Sequence, residues 1–237
     1  NPEKQFYYCF GCGAGGNALG FVMDYERMEF REAIESLAQA AGMELPVEEA
    51  DATTQIDHQK PLYESMDKAT RLYESLLRKH PTRGRVVDYL KQRGLSGEIA
   101  RDFRLGFAPE GWDNLMTTLS SEEDIEHALT AGLLIENDSG RKYDRFRDRV
   151  IFPIVNQRGK VIAMGGRVLG DGKPKYLNSP ETPLFSKSHE LYGLHHIRKF
   201  AKNLSRIVVV EGYMDVIALA QFGIHYAVAT LGTSVGK

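Results

Sequence analysis

Residues 206–232 read "RIVVVEGYMDVIALAQFGIHYAVATLG", and their pattern decides the fold class. Ile207 to Val210 is an apolar run of β-branched residues. Glu211 and Gly212 break it, a helical stretch from about Met214 to Phe222 ends at Gly223, and Tyr226 to Thr230 is a second apolar run. Strand, helix and strand at these lengths predict a β-α-β unit, since parallel neighbours can be joined only by a crossover. A Val-rich strand without polar alternation further predicts burial on both faces. Glu211 then stands at the carboxyl end of the first strand, where open parallel sheets bind ligands. A carboxylate there, beside a glycine that admits close approach, suits a Mg²⁺ ligand or a general base. Asp215 falls in the first turn of the helix, where the macrodipole alone favours an acid. One carboxylate does not hold Mg²⁺, so further acids are expected beyond Lys237.

Upstream, "RVIFPIVNQRGKVIAMGGRVLG" (149–170) is two β-branched runs around a Gln-Arg-Gly turn, with Gly159 supplying the positive φ of a hairpin. The segment 174–194, "PKYLNSPETPLFSKSHELYGL", has neither helical nor alternating periodicity and is expected to be a polar loop. Its Lys175, Tyr176, Asn178, Lys187 and Tyr192 interleave bases with aromatics and an amide, which suits a nucleic-acid backbone or a phosphate-bearing ligand. Arg167, just after Gly165 and Gly166, has the same profile, though an exposed strand charge would look alike.

The net charge of −2 conceals segregation. Residues 21–57 carry ten acids against two arginines, and residues 141–176 carry ten bases against three aspartates. The basic stretch, with Arg145, Arg147 and Arg149 at its start, marks a localised anion-binding surface or a solvated hairpin.

Between these regions the chain is helical. Helices are expected at 61–79 and 84–93, the second ended by Gly94; Ser96 caps a short helix, and Ser120 with Glu123 forms a capping box for another that stops at Gly132. Residues 47–58 lack periodicity and read as a linker. Before it, Phe30, Ala33, Ile34, Leu37, Ala38 and Ala41 lie on one face of an amphipathic helix stopped by Gly42.

The two cysteines of the chain, Cys9 and Cys12, stand in "FYYCFGCGAGGN" (6–17). Half of a structural zinc site, a redox pair and a compositional accident are all open. Glycines after each cysteine favour a tight metal-binding turn and argue against the helix N-terminus that a redox pair uses. With 42% hydrophobic and 26% charged residues, and no apolar run of about 18, neither a membrane span nor a secretory leader is expected, and the expected compartment is the cytoplasm. A chain that starts at Asn1 without Met reads as a piece of a longer protein.

Several stretches in register carry a resemblance. The segment 6–38, which contains both cysteines, resembles the second half of the zinc-binding domain of bacterial DnaG-type DNA primases. "RGLSGEIARDFRLGFAPEGWDNL", "YDRFRDRVIFPI", "GGRVLGDGKPKYLNSPET" and "VVVEGYMDVIALAQFGIHYAVATLGT" resemble successive signatures of that family's RNA polymerase domain. The resemblance implies an α+β chain: a partial zinc ribbon over 1–46, a linker over 47–58, a mixed α/β polymerase subdomain over 59–205, and the opening β-α-β of a Toprim fold over 206–237. It implies that Cys9 and Cys12 are the second pair of zinc ligands. Glu211 would bind Mg²⁺ or Mn²⁺ with later aspartates, Asp215 would be the Asp of the "EGYMD" signature, and Arg145, Arg147, Arg149, Arg167, Lys175 and Lys187 would lie around template and nucleotides. The implied activity is synthesis of short RNA primers on single-stranded DNA from ribonucleoside triphosphates, at replication forks in the nucleoid. Implied partners are the replicative helicase, through a C-terminal domain not in this sequence, and a single-stranded DNA-binding protein as a further candidate. Taken alone, the chain is expected to be catalytically inactive. Two other readings stand beside this one: a module that only binds single-stranded DNA, and another Toprim enzyme such as a topoisomerase or nuclease.

Overall fold

A computed structural model of the chain describes residues 6–11, 13–26, 28, 30–43, 53–200, 204 and 206–231. Two compact units divide it, Asn1–Asp57 and His58–Lys237. In the first, strands β1 (Phe6–Tyr8) and β2 (Gly15–Asn17) pair antiparallel and are followed by helices α1 (Ala18–Glu26) and α2 (Phe30–Ala41). Helix α2 buries Ala33 and Ala38 as the periodicity predicts, and Gly42 ends it at φ +65°.

Helix α3 (Thr53–Lys79) leads into the second unit. The linker expected over 47–58 is therefore helical from Thr53; residues 44–52 lie outside the described residues. The sequence of this extension, TTQIDHQK over 53–60, has one apolar residue, Ile56, so periodicity has no stripe to detect. After it come α4 (Gly84–Gln92), α5 (Gly97–Asp102), β3 (Gly106–Ala108) and α6 (Glu122–Thr130). Ser96 caps α5, its Oγ accepting from the Ile99 N–H. The cap of α6 is Ser121, one residue later than expected: its Oγ accepts from Asp124 N–H, and Asp124 accepts in return from Ser120 N–H. Two adjacent serines satisfy the capping pattern equally well, and Asp at the third helical position decides between them.

Strands β4 (Leu134–Glu136) and β5 (Lys142–Asp144) form a small hairpin. The predicted longer hairpin is β6 (Arg149–Val155) and β7 (Val161–Val168), turning at Gly159 with φ +80°. It lies at the centre of an antiparallel sheet of order β3-β6-β7-β8, in which β8 (Tyr176–Asn178) belongs to the stretch expected to be loop. That stretch also contains β9 (Leu191–Tyr192) and runs into α7 (Leu194–Phe200). Three-residue strands are too short to show alternation, and their pairing with β7 and with the next sheet holds them.

The β-α-β unit is present as β10 (Val208–Val210), α8 (Tyr213–Gln221) and β11 (Ala227–Thr230), with β10 and β11 parallel and β9 added antiparallel in the order β10-β11-β9. Burial on both faces holds for β11, but β10 is at the sheet edge and leaves Val209 65% exposed. An apolar run thus marked a strand correctly while overstating its cover.

Helix α8 docks on the larger sheet through Tyr213. Its ring fills the space beside Gly165, where an added Cβ would lie 2.4 Å from Cε2, and stacks on Phe152 at 5.5 Å between centroids. Its hydroxyl donates to Asn178 Oδ1 at 2.6 Å. On the other face of β7, the missing Cβ of Gly166 makes room for Phe146 and the stem of Arg149. Nearby, His196 stacks on Phe103 at 3.7 Å, and burial, helped by His195, Lys199 and His225 and opposed by Asp102, brings its pKa down to about 4.

Two predictions follow from this packing. Gly165→Ala should destabilise the chain by about 1–3 kcal/mol in urea unfolding through overpacking against Tyr213, whereas Tyr213→Phe should cost only about 1 kcal/mol, the hydroxyl's hydrogen bond. Because His196 is neutral when folded and its unfolded pKa is near 6.5, its contribution is complete above about pH 6.5 and is lost as pH falls towards 4. His196→Phe should flatten that acid limb of stability; an unchanged limb would assign it to other groups.

Candidate nucleic-acid interface

Arg167 and Arg147 each anchor an arginine-aromatic cluster. Arg167 on β7 is 9% exposed, and its guanidinium lies 4.3 Å from the centre of the Tyr89 ring on α4. Tyr176, opposite Arg167 in the β7-β8 register, is 46% exposed, with its ring 5.9 Å from the same guanidinium. Arg93 covers Tyr89 at 5.5 Å. Burial raises the Tyr89 hydroxyl above its ordinary pKa against the pull of both arginines, so the ring stays neutral between cations. Arg167 Nε is buried without a hydrogen-bond partner. Lys175 is exposed beside this cluster, and its carbonyl accepts from Val168 N–H.

The second cluster surrounds Trp112, the single tryptophan, which is 52% exposed. Arg147 lies 4.2 Å and Arg141 5.7 Å from its ring centre, and Tyr143 meets its edge at 5.2 Å. Planar cations stacked on partly exposed aromatics can offer both a π-face to a base and charge to a phosphate. Arg85 on α4, one turn before Tyr89, pairs with Asp148 at 3.3 Å, so the residue after Arg147 is tied to the helix behind Arg167.

The sequence had not singled out Trp112 or Tyr89. A lone Trp in the Gly-Asp-Asn loop of "EGWDN" fits neither an apolar stripe nor a strand, and that was a usable signal. Tyr89 lies at helical spacing among apolar residues and carried none.

Alternation in "RFRDR" suggests one shared face for Arg145, Arg147 and Arg149, yet the structure separates them. Asp148 has φ +49°, and β6 begins only at Arg149, so the backbone changes direction between Arg147 and Arg149. Arg149 is 6% exposed and turns inward, donating to the carbonyls of Pro174 at 2.8 Å, Gly166 at 3.3 Å and Lys175 at 3.4 Å. Its place is under the basic loop and not on the surface. Arg147 donates to the carbonyl of Asp144, whose carboxylate accepts the N–H groups of Leu115 at 2.7 Å and Met116 at 3.0 Å. Arg145 is half-buried with Nε unpartnered, and burial lowers its pKa. Lys187 lies farther along the chain, where its backbone N–H donates to Glu181 Oε1, and no contact joins it to either cluster among the described residues.

Asn178 is engaged at both ends: its Oδ1 accepts from Tyr213, and its Nδ2 donates to the Leu231 carbonyl at 3.0 Å. It clasps β8 to the β-α-β unit. Two residues before Tyr213, Glu211 is exposed in the turn after β10. Asp215 Oδ2 accepts the Gly212 N–H at 3.1 Å, closing the first turn of α8. Among the described residues no group of three or more His, Cys, Asp or Glu side chains could hold a metal. Glu211, a hard oxygen donor open to solvent, fits one position on a divalent cation that takes its other ligands from water and phosphate.

In the first unit, Cys9 is exposed in a tight turn where its N–H donates to the Ala14 carbonyl at 2.7 Å and its carbonyl accepts from Gly13 at 2.8 Å. A turn closed around a cysteine and relieved by Gly13 at φ +76° fits a zinc knuckle. Cys12 lies outside the described residues.

Compared with known families, residues 1–53 match the CHC2 zinc finger, residues 72–198 the N-terminal domain of the DNA primase catalytic core, and residues 205–236 the Toprim domain. The first and third imply zinc and a divalent metal respectively. The DNA primase of Pseudomonas putida is 61% identical over 241 residues, covering 100% of this chain and 36% of that protein. The DNA primase of Escherichia coli is 51% identical over 237 residues, covering 99% of this chain and 41% of that protein. The chain thus spans less than half the length of these relatives. Among solved structures, a DNA primase domain from Pseudomonas aeruginosa superposes with a TM-score of 0.72 at 61% identity, over 74% of this chain and 55% of that one. A DnaG primase catalytic domain bound to ssDNA gives 0.73 at 49%, over 76% and 58%. The zinc-binding and RNA polymerase domains of Aquifex aeolicus primase give 0.68 at 35%, over 99% and 56%.

The inward and outward arginines separate in an assay. Arg147→Ala and Lys175→Ala should each lower the salt slope of binding to labelled oligothymidylate by about one unit. Arg149→Ala should leave the slope unchanged and lower thermal stability, because the guanidinium's hydrogen bonds to three carbonyls are lost. Equal slopes for the Arg149 and Lys175 variants would abolish the distinction.

Proposed function

The chain belongs to the DnaG-type DNA primase family, and we propose that the protein it comes from synthesises short RNA primers on single-stranded DNA from ribonucleoside triphosphates. The observation that supports this most is the clasp between β8 and α8: Asn178, next to the basic-aromatic surface, holds Tyr213, two residues from Glu211. An anion-binding surface and a metal-binding carboxylate are thereby held on one framework.

In this reading Arg147 and Lys175 hold template or nucleotide phosphates, and the exposed rings of Trp112 and Tyr176 stack bases. Arg167 keeps Tyr176 and Tyr89 in place from below, with its guanidinium turned to the same surface. Arg149 and Asn178 act as supports: one fixes the carbonyls of the loop that presents Lys175, the other fixes the end of β8. Arg145, half-buried, adds positive charge to this surface from beneath it. Glu211 would hold a divalent cation, Mg²⁺ or Mn²⁺, together with further acids, and the cation would supply positive charge to a triphosphate and to a primer 3′-hydroxyl. Asp215 keeps the first turn of α8 closed and so fixes the turn that carries Glu211. In the first unit Cys9 and Cys12 supply thiolates to zinc, and that unit reads template. Action at the replication fork, with helicase and single-stranded DNA-binding protein as partners, belongs to the same proposal. The match of residues 72–198 to the primase core speaks against other Toprim enzymes.

Glu211→Gln in the full-length protein should reduce ribonucleotide incorporation on a single-stranded template by about 100-fold or more, with oligothymidylate affinity unchanged. Retained incorporation would remove Glu211 from the metal site.

A further inference from the structure

A groove of about 420 Å³ runs between the C-terminal part of α3 and the helices α4 and α5, away from both arginine-aromatic clusters. Its volume is within the ~300–1,000 Å³ range of ligand clefts. Leu77, Val87, Leu90, Leu95, Ala100 and Leu105 line it. Leu77, Val87 and Ala100 are only half-buried, so apolar surface remains open. Around this floor stand Arg78, Arg83, Lys91 and Arg101, all exposed. Arg78, Arg83 and Lys91 have no ion pair among the described residues. The acid in the lining, Glu74, is already held by Arg104 at 2.9 Å.

We propose that this groove docks an acidic peptide segment with apolar anchors, its leucine-like side chains on the floor and its carboxylates against the cationic rim. Two observations choose this occupant. An apolar floor ringed by four exposed cations, of which among the described residues Arg101 alone is paired, with Asp102 at 3.8 Å, is complementary to an amphipathic acidic segment, in the manner of a helix in a groove. Among the described residues no aromatic ring lines the groove, so a nucleic acid would find charge there but no stacking surface, unlike at Trp112 and Tyr176. Helix α4 has a face on each site: Arg85 and Tyr89 point to the Arg167 side, while Val87 and Lys91, four residues apart, line the groove together with Arg83 just before the helix. The proposal does not depend on primer synthesis.

The test is fluorescence anisotropy on the intact chain with a fluorescein-labelled peptide built on the repeat Leu-Glu-Glu-Leu-Leu-Glu-Glu. Saturable binding is expected, weakened about tenfold by the double charge reversal Arg78→Glu with Lys91→Glu and by replacing the peptide's Glu with Gln. Both reversed positions are exposed, so circular dichroism of the variant should match the parent. Oligothymidylate should neither displace the peptide nor bind the variant more weakly. Absence of saturable binding, or equal affinity in the variant, would overturn the proposal. Loss of oligothymidylate affinity in the variant, with displacement of the peptide, would make the groove a nucleic-acid track instead.

Discussion

The attachment of α8 to the larger sheet depends on one ring occupying the place of an absent side chain. Tyr213 can lie against β7 only because Gly165 has no Cβ, and its hydroxyl reaches Asn178 only from there. The β-α-β unit is also held by Asn178 on the Leu231 carbonyl and by Gln221 at the other end of α8, which accepts from Ser96 N–H. At Tyr213 the hydrogen bond makes the contact directional where apolar packing alone would allow sliding. Gly166 performs the complementary task on the other face of the same strand, admitting Phe146 and Arg149. Strand β7, buried along its whole length, carries loads on both sides and presents Arg167 at its end.

The basic surface is built in two layers. Arg149 and Asn178 are polar residues whose hydrogen bonds are all made within the protein, and they fix the loop and strand from which Lys175 and Tyr176 project. Arg147 and Arg167 lie on aromatic rings that hold their guanidinium planes in defined orientations. Such preorganisation matters more than the number of charges, since a mobile lysine loses side-chain entropy on every phosphate it meets and a stacked arginine loses less.

Elements with a strong local signal were legible in the sequence. The apolar runs of β10 and β11, the positive φ at Gly159 and the Ser96 cap depend on neighbours a few residues away, and all are present. What was not legible depended on distant partners. Strand β8 exists because β7 pairs with it, β10 is exposed because it falls at a sheet edge, and α3 starts early without a stripe. The arginines show the same limit within the site: nothing in "RFRDR" announces that Asp148 turns the backbone so that Arg149 enters the protein while Arg147 stays out. Residue type suggested the surface's chemistry, and the backbone decided which of its members face inward and which outward.

The exposed β10 has a consequence for how the molecule behaves among its own copies. Ile207 and Val209 are 45% and 65% exposed on a strand whose outer edge has no neighbour among the described residues. An open apolar edge is a template for any extended chain, whether from the same polypeptide or a stranger. The turn that presents Glu211 follows directly on this edge, so whatever chain covers β10 also shapes the approach to that carboxylate.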